Sequence, residues 1–306
     1  MYTRKGPGDI WQPPEYEGWD DGDRGESAGT LQFSVPFETY KSMSGINVSS
    51  LKELRRSPLH YRHRLTHPAT SDALTLGTAA HIATLEPARY AQAVSVWDRK
   101  TDTGRAAPRN GKAWDAFVAD AGERTIITAD DDETARAIAE AVRNNPVAAR
   151  YLAVGAPEVS MRWQRDGRML KGRVDWLTVQ DGVDVIVGLK TTRDCRPREF
   201  GVQAHRLGYH LQWAYYRDGF AAITGRIPQM VEIVVESAAP HAVAVYTIPE
   251  PVLNLGREEY EEALTLLRHC EQSGQWPGPV EHETELALPM WAYGVADEIT
   301  IADAEN

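Results

Sequence analysis

Asp175 and Lys190 are the residues of this 306-residue chain whose types and spacing are best suited to chemistry. They lie in EVSMRWQ-Asp166-Gly167-RMLKGRVDWLTVQ-Asp181-Gly182-VDVIVGLK, a stretch that reads as three strands joined by two tight turns. Asp-Gly suits a two-residue type I′ turn, which needs positive φ at both central positions. Counting outward from two such turns sets the register. Asp175 then faces Glu158 across the first hairpin and Gly188 across the second. Directly opposed residues have Cβ atoms roughly 4.5–5.5 Å apart. Glu158, Asp175 and position 188 are therefore expected to form one row on one face. Lys190, two residues along from position 188, shares that face. Acids gathered beside a lysine suit a divalent cation and an activated water.

Each residue also has a plainer reading. The surroundings of Asp175, VDWLTV, are apolar, so its carboxylate is costly unless paired or metal-bound. A strand Asp paired with Arg173 or Lys171 on an exposed face is the structural alternative. Lys190 ends the apolar run 183–189 and could mark the exit of a strand to solvent. Glu158 could be a strand-start acid. His81 sits among alanines in GTAAHIATLEP, where a satisfied core histidine is the ordinary case. Glu86, before Pro87, reads as structural. Gln212 and Tyr216 are four apart and share a helix face, a pattern common in core packing with buried hydrogen bonds.

An Asp on one strand followed by a (Asp/Glu)-x-Lys triplet on the next resembles the PD-(D/E)XK nuclease superfamily. The surrounding text is similar to its exonuclease VIII (RecE-like) and RecB-type branch. The likeness rests on SSLKELRRSPLHY, LGTAAHIATLEP, Glu158 opening a strand, GRVDW followed by VGLKTT, and LGYHLQWAYY, which holds a Gln-x-x-x-Tyr as Gln212 and Tyr216. It runs from about residue 49 to about residue 216, and more loosely to the C-terminus. The resemblance implies an α/β fold with a restriction-endonuclease-like core, a mixed central sheet flanked by helices. It implies that Asp175, the backbone carbonyl of Leu189, His81 and a carboxylate at position 188 hold Mg²⁺ or Mn²⁺. Lys190 would orient the attacking water and stabilise charge on the phosphate, the electrostatic role suited to a fixed cation. Glu158 would support the active site, Gln212 and Tyr216 would support it or contact the DNA backbone, and Thr191, Thr192 and Arg173 are the candidates for DNA contact. The implied activity is resection of linear duplex DNA from its ends in phage or prophage recombination. The implied partners are double-stranded DNA ends, a single-strand annealing protein and further copies of the chain in a ring-shaped homo-oligomer.

The triplet departs from the pattern. Where an acid is usual this chain has Gly188, which supplies no ligand and weakens a strand interior. Three explanations fit: an introduced inactivating change, a naturally degenerate enzyme, or an atypical site that recruits another carboxylate. Asp184 has the right strand parity but lies roughly 13 Å away at strand rise, too far to substitute. Low activity is the expectation, and a catalytically silent DNA-end-binding or recombination-assembly protein on the same scaffold is the alternative. A P-loop is excluded, because GLKTT lacks the required upstream glycine and follows a β-branched strand. No nucleophile elbow, zinc-protease histidine pair or dinucleotide fingerprint occurs.

The formal charge of −11 argues against a protein that coats nucleic acid, though a local basic groove is compatible with it. Basic runs at 55–64, 99–112 and 162–173 more often mark solvated surface. Two widely spaced cysteines, Cys195 and Cys270, give no disulfide framework, and a reduced, cytoplasmic setting is expected. No stretch approaches membrane-spanning length, and the N-terminus lacks a signal-peptide core.

The chain is read as an irregular arm over 1–44, rich in Gly, Asp, Glu and Pro, followed by one domain over 45–306. Helices are expected at 48–65 (Ser50 and Glu53 forming a capping box, Pro58 breaking the run), 76–85 and 130–144. The three-stranded meander follows, then one long helix over 197–223, strands at 230–237 and 242–248, and a helix at 252–273. Residues 98–112 read as a polar loop. The last thirty residues, with a short apolar run at 286–291, receive no assignment.

Overall fold

The computed structural model describes residues 29–67 and 72–288. Strand β1 (Thr30–Gln32) and helix α1 (Phe37–Ser42) precede β2 (Ile46–Asn47), α2 (Val48–Leu51), a 3-10 turn (Lys52–Arg55) and α3 (Pro58–Thr66). Next come α4 (Asp72–Leu85), α5 (Tyr90–Ala93), β3 (Val94–Trp97), α6 (Gly111–Ala121), β4 (Thr125–Thr128), α7 (Ala129–Asn144) and α8 (Pro146–Leu152). The meander is β5 (Ala156–Arg165), β6 (Arg168–Gln180) and β7 (Val183–Thr192). Helices α9 (Pro197–Arg206) and α10 (Tyr209–Thr224) then lead to β8 (Gln229–Glu236), β9 (Val243–Thr247) and α11 (Glu250–Ser273).

Both Asp-Gly pairs make the expected turns, with φ of 50° and 73° at Asp166 and Gly167, and 52° and 81° at Asp181 and Gly182. The main sheet runs β1-β5-β6-β7-β8-β9, with β2 alongside β6. β7 and β8 pair in parallel, joined by the α9–α10 crossover, while β5–β6, β6–β7 and β8–β9 are antiparallel. The result is an α/β architecture with a mixed central sheet between helical layers. One layer packs Val48, Leu51, Phe200, Leu211, Phe220, Tyr260 and Leu267 against Met161, Trp163 and Val234. The other packs Ala79, Ala80, Ile138 and Val142 against Val185, Val187, Leu189, Val231 and Ile233. Alternation along β7 and β8 thus sends odd-numbered apolar residues to α4 and α7, and even-numbered residues to α10.

Strand β6 has two different neighbours on one edge. Its C-terminal half pairs with β7 from Trp176↔Val187 to Gln180↔Val183, and its N-terminal half pairs with β2 at Leu170 and Lys171. Between these, β6 and β7 part company, and β7 continues alongside β8 to Thr192↔Glu236. An opening in the sheet is left beside Asp175.

Several expectations need correction. The arm is not irregular throughout: β1 pairs with β5, and α1 packs its C-terminal carbonyls on Lys171, whose ammonium donates to Tyr40, Lys41 and Met43. Residues 1–28 lie outside the described residues. The capping box at Ser50 is not formed; Asn47 caps α2 by accepting from the Ser50 N–H, and Ser57 caps α3 with Pro58 in its first turn. The capping box that does form joins Thr128 and Asp131 at the start of α7. The single helix expected over 197–223 breaks between α9 and α10, where Gly208 takes the left-handed conformation at φ 64°. The small parallel pair β3–β4 escaped the sequence reading, as did α6 and α8. Leu286 and Leu288 belong to no element, and the rest of the 286–291 run lies outside the described residues. Among the described residues no helix is long and apolar enough to cross a membrane.

Candidate active site

The site forms where β6 and β7 separate. The pairing of β5 with β6 keeps one register on both sides of Glu158 and Asp175 but skips that row. Glu158 takes φ 55° there, and the residues facing the α10 layer switch parity in both strands. Ala156 is followed by Val159 and Met161 in β5, as Leu177 is followed by Val174 and Leu170 in β6. The row read from the sequence is therefore not formed as paired positions: neither Glu158 with Asp175 nor Asp175 with Gly188 joins the ladder. Asp175 reaches across the opening, and its Oδ2 accepts the Leu189 N–H at 2.9 Å, a bond the strand ladder no longer supplies. The same oxygen accepts from the Lys190 ammonium at 3.3 Å. The pairing of Asp175 with Arg173 or Lys171 does not occur.

Around this pair stand groups from three further elements. His81, on α4, donates from Nε2 to the Leu189 carbonyl at 2.6 Å, and Lys190 approaches the same oxygen at 3.3 Å. From α10, Gln212 accepts from Lys52 at 3.0 Å, the Tyr216 ring lies against Gly172, and Tyr209 places its ring 5.6 Å from the Lys190 ammonium. From β8 comes Glu232, a residue the sequence reading passed over. In the parallel register it stands opposite Gly188, and only 1% of its side chain is exposed. The Trp213 indole donates to its Oε2. Its Oε1 lies 3.5 Å from Lys190, too long for a good hydrogen bond, and no donor among the described residues satisfies it.

The gap expected at position 188 is thus not vacant. A Cβ placed on Gly188 would fall 2.5 Å from both carboxylate oxygens of Glu232. Asp175, Gly188, Lys190, Gln212, Trp213, Tyr216 and Glu232 together line a cavity of about 10 Å³, room for one water or one small ion. Asp184, set aside from its position in the sequence, is engaged elsewhere by Arg226 at 2.7 Å.

The electrostatics follow from burial and crowding. Burial works against the Asp175 charge, but Lys190, His81 and the Leu189 N–H outweigh it and hold the carboxyl below its ordinary range. Burial likewise opposes the Lys190 charge, and the Asp175 and Glu232 carboxylates overcome it, keeping the ammonium protonated far beyond neutrality. Burial pushes Glu232 up, with Lys190 and Trp213 pulling against it and Asp175 adding to it. Burial raises Glu158 to about 7, reinforced by Asp175 and opposed by Arg173. His81 is lowered by burial, which keeps its imidazole neutral. Burial and the neighbouring Lys190 charge bring Lys52 down to about 7.

Of the three residues expected to touch DNA, two are engaged elsewhere. The Thr192 hydroxyl is buried and donates to Gln203 Oε1 at 2.9 Å, with the Asp194 carbonyl also within reach at 3.1 Å. Arg173 pairs with Glu158, and its guanidinium sits over the rings of Phe37 and Tyr40. Neither is free to meet a phosphate, because each is enclosed by the elements that position it. Thr191 is half-buried beside Gly77 on α4. Glu86 pairs with Arg89 at 2.9 Å, the structural role read for it. His205, His210 and Glu259 bring ligand atoms within 4.8 Å of one another, but Arg55 already supplies a cation to Glu259 at 3.2 Å.

Residues 47–285 match the family model described as a PDDEXK-like domain of unknown function (DUF3799). No curated protein matches the chain. Among solved structures, the chain is similar to a Eubacterium rectale protein named "Putative exonuclease", at 16% identity and a TM-score of 0.57, covering 88% of this chain and 100% of that one. At this identity the likeness speaks for the fold. A phage-related exonuclease from Haemophilus somnus 129PT aligns at 12% identity over 76% of this chain and 97% of its own, with a TM-score of 0.34.

Proposed function

We propose, from the premise that this chain belongs to the PDDEXK-like domain family (DUF3799) and so to the PD-(D/E)XK nuclease superfamily, that it is a metal-dependent exodeoxyribonuclease resecting linear duplex DNA. The observation that carries the reading is the meeting of Asp175, the Leu189 carbonyl, His81 and Lys190 at the one place where β6 and β7 separate. The name of the Eubacterium rectale neighbour supports an exonuclease within this superfamily.

The residues present fit a hard divalent cation. Carboxylate and carbonyl oxygens form a suitable donor set, joined by the neutral His81 imidazole in the tautomer that leaves Nε2 unprotonated, and a buried carboxylate oxygen beside them, Glu232 Oε1, has only the long approach of Lys190 at 3.5 Å. Asp175, the Leu189 carbonyl and His81 would hold Mg²⁺ or Mn²⁺, which when bound lowers the pKa of a water and offsets phosphate charge. Lys190, kept charged by its two carboxylates, orients that water and donates to the oxygen on which charge grows. The water oxygen forms a bond to phosphorus as the bond to the departing sugar oxygen breaks. Gln212 and Tyr216 border the same cavity and position the phosphodiester. Burial holds the Tyr216 phenol well above its ordinary pKa, so it acts as a neutral donor.

The test is nucleotide release from linear and covalently closed duplex DNA in Mg²⁺, Mn²⁺ or EDTA. Release from linear DNA alone, abolished by EDTA, is expected. Equal attack on closed circles would contradict exonuclease action, and activity in EDTA would contradict the cation. Binding of linear ends without release in either metal would identify the catalytically silent scaffold.

A further inference from the structure

We propose that Glu232 supplies the cation-binding carboxylate that Gly188 lacks, so that this site has moved its acid from one strand to the adjacent one. The inference rests on the metal-dependent reading above and names a ligand for it. It begins from the pairing of Gly188 with Glu232 in the parallel β7–β8 ladder. Adjacent strands lie about 4.8 Å apart. A glutamate has one methylene more than an aspartate, and leaning sideways over a glycine it brings its carboxylate above the neighbouring position. The 2.5 Å separation between the Glu232 oxygens and a Cβ built on Gly188 shows that this is where the carboxylate sits.

The two positions are mutually exclusive. Separations below 3.0 Å are not tolerated by real Cβ atoms, and Glu232 has little room to withdraw, being buried and held by the Trp213 indole. Gly188 is therefore the residue that Glu232 requires, rather than the loss of a ligand. The rest of β8 is apolar where it is buried, with Met230, Val231, Ile233, Val234 and Val235 around the single acid. A carboxylate there is expensive unless paired or coordinated. Its pairing is incomplete: Trp213 satisfies one oxygen, and the other faces Lys190 and the cavity shared with Asp175. On this account Gly188 does not impair the chain.

The experiment is a calorimetric titration of Mn²⁺ into the full chain and four variants, with thermal melts confirming that each is folded. The variants are Asp175→Asn, Glu232→Gln, Glu232→Ala, and Gly188→Asp combined with Glu232→Ala. Wild type is expected to bind Mn²⁺, Glu232→Gln and Glu232→Ala at least tenfold more weakly, and the double variant within a few-fold of wild type. Should Glu232→Gln fail to fold, the double variant against Glu232→Ala alone still decides. Unchanged affinity in Glu232→Gln, or no recovery in a folded double variant, overturns the proposal. If Asp175→Asn abolishes binding while Glu232→Gln does not, the metal site stands and only the role of Glu232 falls. If wild type binds no Mn²⁺, the metal-dependent reading falls with it.

Discussion

Two of the charge clusters among the described residues are built on opposite plans. Where α10 meets α11, Asp218 accepts from Arg257 through both oxygens at 2.8 Å, also accepts from Tyr260, and has Arg165 at 3.7 Å. Every oxygen is matched and cations equal or exceed acids. At the β6–β7 opening, Asp175 and Glu232 share one ammonium, which stands 3.5 Å from Glu232 Oε1 and leaves that buried oxygen without a hydrogen bond among the described residues. A buried carboxylate oxygen without a full partner is unfavourable unless it takes up a proton or a cation. The first cluster is complete as a structural tie. The second leaves an oxygen open toward its cavity, and that difference is the ground for proposing chemistry there.

The largest effect that would sharpen this contrast is loss of Lys190. Lys190→Met is expected to lower nuclease activity by about 10²–10³-fold, the scale of removing one electrostatic stabiliser of a transition state, while leaving the chain folded. Steady-state nucleotide release beside a thermal melt checks it. Activity within a few-fold of wild type would mean that the ammonium merely pairs with its carboxylates, as Arg257 pairs with Asp218.

A smaller effect concerns Lys52, which the crowded site depresses to about 7 from its ordinary 10.5. Between those values the unfolded chain binds a proton that the folded chain does not, so this group makes stability rise with pH. The contribution is full above about 10.5 and is lost as pH falls through about 7. Lys52→Met is expected to flatten that slope, seen as a variant-minus-wild-type Tm difference that is most positive near pH 6.5 and shrinks by pH 9.5. A difference independent of pH would mean that Lys52 titrates as an ordinary lysine.

What the sequence disclosed, and what it withheld, follows from which registers are local. The register of both hairpins could be counted from two Asp-Gly turns, because a hairpin fixes its own register, but the local break that leaves Glu158, Asp175 and Gly188 out of the ladder could not. Glu232 could not be reached in that way. Its alignment with Gly188 depends on a crossover through α9 and α10, and no turn chemistry states its length. The available signal was an acid inside MVEIVVE, costly in a buried strand, together with a glycine where an acid is usual. The break at Gly208 was missed because a glycine inside a helix costs only about 1 kcal/mol, so its presence alone does not end one. Thr192 and Arg173 carried suitable chemistry, but their enclosure by Gln203, Glu158, Phe37 and Tyr40 is set by distant elements.

The central claim, that the acids at the β6–β7 opening serve chemistry and those between α10 and α11 serve structure, is tested most directly by two isosteric changes on one substrate. Asp175→Asn and Asp218→Asn should be compared for nucleotide release from linear duplex DNA in Mg²⁺, each below its own melting temperature. The account predicts release abolished in Asp175→Asn, and a near-normal rate in Asp218→Asn with a stability loss of about 1–3 kcal/mol. Undiminished release in folded Asp175→Asn would contradict it.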